Sequence, residues 1–152
     1  MMPHARGGLK SRPRVRVVPG PRSPLILGVV ALGGAVGALG RYSIAQAIPW
    51  GGDGFPWATF VTNILGCLVI GALVVWLVER ATAPPWLRPL LVTGLLGGFT
   101  TYSTFALELR DLLAADRAVM ALIYLLATLI VGLGAVSLAR GAVVRSMRGG
   151  DA

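Results

Sequence analysis

The sequence predicts an all-α integral membrane protein of four spanning helices, the third broken near its centre. Three observations carry this. Of 152 residues, 55% are hydrophobic and only 13% are charged, with a mean hydropathy of +0.76; a soluble domain of this size holds roughly a quarter charged residues. The apolar residues fall in four runs of about 20 residues or more, enough at 1.5 Å per residue to cross ~30 Å of hydrocarbon. The third run carries Gly97-Gly98-Phe99-Thr100-Thr101-Tyr102-Ser103-Thr104-Phe105 at its middle, where a spanning helix is normally aliphatic. A bilayer has no water for freed backbone groups, so a polar, breakable segment at that depth is buried in protein or lines a pathway.

Residues 1–24 are a different material. Arg6, Lys10, Arg12, Arg14, Arg16 and Arg22 alternate with prolines and glycines and contain no apolar block. They predict a disordered arm at an anionic cytoplasmic surface, rather than a nucleic-acid binder. The apolar run that follows is too long for a signal peptide and lacks a clear cleavage site.

The first span covers about 25–48 and ends at Pro49 and the turn-rich Trp50-Gly51-Gly52-Asp53-Gly54. The second covers 57–78, with Trp57 and Trp76 as interfacial anchors. Glu79, Arg80, Pro84 and Pro85 make the next loop. The third covers 86–109 and is closed by the charged loop from Arg110 to Arg117. The fourth covers 119–139, and 141–152 form a short polar end that follows Arg140 and holds Arg145 and Arg148. Eleven Lys and Arg residues fall in the tail, the second loop and the C-terminal end, against two in the loops of the opposite side. Both termini are therefore expected on the cytoplasmic side.

Polar residues inside the spans are the candidate site. Gly33, Gly37 and Gly40 recur on one face of the first helix and let another helix approach closely. Arg41, on the shoulder of that face, reads either as a side chain snorkelling to the headgroups or as a cation at a pore mouth. In the second span Thr59, Asn63 and Gly66 share a face, as a ladder of hydrogen-bond donors or as glue between helices. In the third, Thr101, Thr104 and Glu108 fall on one face, while Tyr102 and Phe105 are i, i+3 neighbours. His4 and Cys67 are the only histidine and cysteine, so zinc sites, disulfides and Ser-His-Asp catalysis lack their residues. No enzyme is expected.

These residues resemble the Fluc family of fluoride channels, also called CrcB. The family pattern is a Gly-rich first helix ending in Gly-Arg-Tyr, met by Gly40-Arg41-Tyr42, and a second-helix Asn followed by glycine, met by Asn63 and Gly66. The third-helix signature Gly-Gly-x-Thr-Thr-Phe-Ser-Thr-Phe is met by Gly97 to Phe105. The match covers about residues 28–140. The resemblance implies a four-helix subunit of a bacterial plasma membrane, paired as an antiparallel dimer with two fluoride pores and a central structural sodium ion. It implies sodium on the backbone carbonyls of Gly97 and Thr100, and a pore lined by Thr59, Asn63, Ser103 and Thr104. Tyr102 and Phe105 would form an aromatic box, with Glu108 near one mouth.

Two departures stand out. Tyr102 occupies a position usually held by Phe, keeping the ring edge but adding a hydroxyl. The charge asymmetry favours one insertion direction, which predicts a heterodimer with an oppositely biased paralogue. A small four-helix multidrug transporter is the nearest rival, but its coupling acid is missing from the first span. A non-transporting membrane assembly subunit would not account for a polar break at mid-span.

Overall fold

The computed structural model describes residues 24–79 and 83–149. The basic tail up to residue 23, Arg80 and the last three residues lie outside the described residues. The described chain is helical, with four stretches long and apolar enough to cross a membrane: Pro24–Ala47, Trp57–Leu77, Pro89–Ala114 and Ala118–Gly149. The protein is a multi-pass membrane protein.

The first span is α1 (Pro24–Ala47) and the second α2 (Trp57–Glu79). Between them Trp50 Nε1 donates to Gly54 O at 2.7 Å, and Gly52 turns the chain at φ 93°. The third span is composite. It starts as a π-helix over Pro89–Leu96 and passes into the short α3 (Gly97–Phe99). Thr100 (ψ 157°) and Thr101 (φ −147°, ψ 121°) are extended, and the helix resumes as α4 (Tyr102–Ala114). Asp116 then adopts a left-handed φ of 58°, and Arg117 N–H returns to Leu112 O at 2.8 Å. Asp tolerates that conformation, and the bond satisfies a carbonyl at the helix end. Last comes α5 (Ala118–Gly149), which continues past 139 to the end of the described chain. No proline follows Ala139, so nothing stops its winding.

The two halves of the third span have different partners. The π-helical segment lies along α1, whereas α4 lies along α5, with α2 also packed on α5. Glycines set the first contact. A Cβ at Gly33 would lie 2.6 Å from Leu90 O, and one at Gly94 would lie 2.8 Å from Val30 O. The π winding, with i→i+5 bonds, keeps Leu90, Gly94, Leu95 and Phe99 on the line that meets α1. The second contact is an apolar core of Phe105, Leu112, Ala121 and Tyr124, walled by Trp50, Phe55 and Phe60. The break thus sits where the chain exchanges one partner for another.

Candidate functional site

The break frees backbone groups that the helical ladder would otherwise pair. Thr101 N–H would reach Gly97 O in an unbroken helix; it donates instead to Asn63 Oδ1 at 2.9 Å. Asn63 Nδ2 in return donates to Thr101 O at 3.1 Å. The amide therefore clamps both faces of one peptide residue, and one of its N–H bonds remains for another acceptor. Thr101 also caps α4. Its Oγ1 accepts from Thr104 N–H at 3.1 Å and donates to Thr104 Oγ1 at 2.9 Å, with Ser103 Oγ 3.3 Å away. Because Thr104 N–H is spent on that cap, Thr100 O loses its ladder partner as well. The extended Thr100 and Thr101 thus part four carbonyls, those of Gly97, Gly98, Phe99 and Thr100, from their helical N–H partners. Thr100's own N–H and hydroxyl both donate to Leu96 O, each at 2.9 Å.

Arg41 reaches the same place from α1. Its Nε donates to Gly98 O at 3.2 Å, a guanidinium at the carbonyl end of α3, where positive charge is favoured. Arg41, Thr59, Thr101 and Thr104 line a small cavity of about 40 Å³, large enough for one water-sized species. On α2, Gly66 allows the break to come this close: a Cβ there would collide with Thr100 Cγ2.

Glu108 lies two turns further along α4. It is buried, and its two oxygens accept from Thr59 Oγ1 and Tyr124 OH, each at 2.7 Å. It therefore sits inside the helix packing, held between two hydroxyls. Tyr124 also packs against Phe105 at 5.0 Å between ring centroids and against Phe55 at 5.2 Å edge-on. Tyr102 is 6.2 Å from Phe105 but 81% exposed. A groove of about 420 Å³ runs past Asn63, Thr101, Tyr102, Phe105 and Thr128. Thr128 Oγ1 is buried there and has no hydrogen-bond partner among the described residues.

Of the residues expected at the site, Thr59, Phe105 and Glu108 meet in the buried core. Asn63, Thr100, Thr104 and Arg41 meet at the break. Gly97, Tyr102 and Ser103 face outward. Tyr124 and Thr128 were not anticipated. A signal for Tyr124 existed: it is the one aromatic residue of an otherwise aliphatic span, and a buried tyrosine hydroxyl needs a partner. The expected outcome of Tyr124→Phe is a loss of roughly 1–3 kcal/mol, because one oxygen of Glu108 is left unmet while the ring stays. Thermal unfolding in detergent checks it; an unchanged midpoint would show that the hydroxyl contributes nothing.

The family model for CrcB-like protein, Camphor Resistance (CrcB), matches residues 28–140. That span holds the break, its asparagine clamp and Arg41. The chain belongs to the CrcB family. It is 46% identical over 122 residues to the fluoride-specific ion channel FluC 2 of Nocardia farcinica, covering 80% of this chain and 87% of that one. It is 45% identical over 123 residues to FluC 1 of Streptomyces coelicolor, covering 81% and 80%. FluC of Rhizobium etli is 43% identical over 121 residues, covering 78% and 95%. These CrcB relatives align with the spans that build the site, and the family assigns the chain to channels rather than enzymes.

Proposed function

We propose that this chain conducts fluoride across the plasma membrane, passively and outward. The observation that carries the reading is the cavity at the break, where Arg41, Thr59, Thr101 and Thr104 line a space for one small species. Fluoride is small and tightly hydrated, so a pathway for it must replace water by donors, in a space that excludes larger anions. The remaining Asn63 N–H, the unpartnered Thr128 hydroxyl and the Arg41 guanidinium are such donors. Phe105 and Tyr102 offer positive ring edges beside the groove. A negative-inside potential drives an anion outward with ~2.3 kcal/mol per 100 mV, so the transport needs no chemical fuel.

The finer parts of the reading follow from two of the carbonyls freed at the break. Gly97 O and Thr100 O are neutral, hard oxygens at a helix break, a donor set that suits a sodium ion. One chain supplies only part of a coordination shell. A second chain running the other way would supply the rest, and would cover Tyr102 and Ser103, whose polar groups hydrocarbon cannot satisfy. A cation there offsets part of the cost of an anion at low dielectric. The eleven-to-two distribution of basic residues supports a heterodimer with a paralogue of opposite bias.

Fluoride efflux from liposomes tests the reading, with this chain alone and together with an oppositely biased paralogue. Fluoride should leave at least about 100-fold faster than chloride in one of the two preparations. Phe105→Ile should abolish the flux while the protein still elutes as a folded species. Flux in neither preparation, with folded protein in both, would overturn the proposal; so would Phe105→Ile conducting normally.

A further inference from the structure

The last helix is longer than a bilayer needs. At 32 residues α5 extends about 48 Å, and it has already risen about 33 Å from Ala118 when it reaches Arg140. Arg140, Arg145 and Arg148 therefore stand at and beyond one membrane surface. All three are exposed, and none is in an ion pair among the described residues, where the one such pair joins Arg110 to Asp111.

Two grooves meet at Arg140. One, about 460 Å³, is lined by Arg140, Arg145 and Arg148 with Ser137 and Gly141. The other, about 420 Å³, runs between α2 and α5 along Ile70, Val74, Val75, Val136 and Val144. Gly71 brings the helices together at the deep end, where a Cβ would lie 2.5 Å from Val136 O. Val136, Arg140 and Val144 line both grooves, so the apolar channel opens directly beneath the arginines.

We propose that this double groove binds one anionic phospholipid, with an acyl chain between α2 and α5 and the phosphate against the three arginines. The charge decides the occupant. Three guanidiniums without acidic partners among the described residues select a net negative headgroup, because a zwitterionic one carries its own cation into the same field. The apolar channel selects a lipid over a free anion, since apart from Arg140 at the junction the side chains that line it are aliphatic. The site lies away from the break and does not depend on which ion the protein conducts.

Phosphatidylglycerol, phosphatidylcholine and inorganic phosphate, each added to the purified full-length protein in neutral detergent, test the proposal by native mass spectrometry and thermal unfolding. Phosphatidylglycerol should be retained at one molecule per chain and raise the unfolding midpoint, whereas phosphatidylcholine should do neither. Arg140→Gln/Arg145→Gln/Arg148→Gln should weaken phosphatidylglycerol binding at least about tenfold, given the attraction of each basic residue near an anionic surface. Val144→Trp, which blocks the junction without changing charge, should weaken it too, and Arg110→Gln/Arg117→Gln should leave it unchanged. Equal retention of the two lipids, full binding by the triple variant, or displacement of the lipid by millimolar inorganic phosphate would overturn the proposal. If the triple variant does not fold, Val144→Trp decides: retained binding refutes the groove.

Discussion

Asn63→Ala is expected to abolish conduction and to loosen the third span. The reason is local and countable. In the intact protein one carboxamide satisfies both the N–H and the C=O of Thr101, the residue at which the helix restarts. Alanine leaves both groups in an environment without water, at a cost of roughly 1–3 kcal/mol for each. The chain can recover part of that by closing the helix, since Thr101 N–H could then return to Gly97 O. That closure would pair the Gly97 carbonyl again and remove the cap that Thr101 supplies to Thr104. Either result ends the pathway. Asn63→Asp separates the two roles of the side chain. The carboxylate still accepts from Thr101 N–H but donates nothing to Thr101 O, and it sets a negative charge where an anion must pass. Thermal unfolding and fluoride efflux, measured on the same preparations, should show Asn63→Ala lowered in both and Asn63→Asp lowered mainly in flux. Wild-type flux from Asn63→Ala would remove the clamp from the mechanism.

How much of this was legible in the sequence depends on whether the cause was local. The presence of four spans was legible because bilayer thickness sets a minimum length, whereas their ends were less so: α4 winds on to Ala114, into the segment expected as a loop. The largest overrun is that of α5, whose last turns leave the apolar region without leaving the helix. The polar segment of the third span was legible because paired glycines and five hydroxyls make poor use of a lipid-facing helix. Which groups satisfy it was not legible. Asn63 and Thr101 are 38 residues apart, and no spacing rule on either helix connects them. Glu108 illustrates the same limit: helical periodicity put it on a face with Thr101 and Thr104, but its partners come from α2 and α5. The π winding of Pro89–Leu96 was equally hidden, because it answers to the surface of α1 and not to the composition of the segment itself.

Gly37→Ala should be the most damaging single methyl in the protein. A Cβ at Gly37 would collide with Leu95 O and lie 2.8 Å from Phe99 N. Both are backbone atoms of the third span, so no side chain can rotate away and α1 must move out bodily. Overpacking of this kind costs 1–3 kcal/mol where neighbours yield; against two fixed backbone segments a loss above about 3 kcal/mol is expected. Gly28→Ala on the same helix is the control. Nothing lies within 4 Å of its added carbon, and in a helix alanine is favoured over glycine by up to about 1 kcal/mol. The two substitutions should therefore shift the unfolding midpoint in opposite directions. The damage should also reach the site, because Arg41 stands one turn beyond Gly37 and its Nε holds Gly98 O at 3.2 Å. Moving α1 outward withdraws that guanidinium from the break and from the cavity it shares with Thr59 and Thr101. Efflux should then fall even in the fraction of Gly37→Ala that remains folded at low temperature. A folded Gly37→Ala with normal flux would mean that α1 can yield without carrying Arg41 away, and that the glycine face serves packing alone.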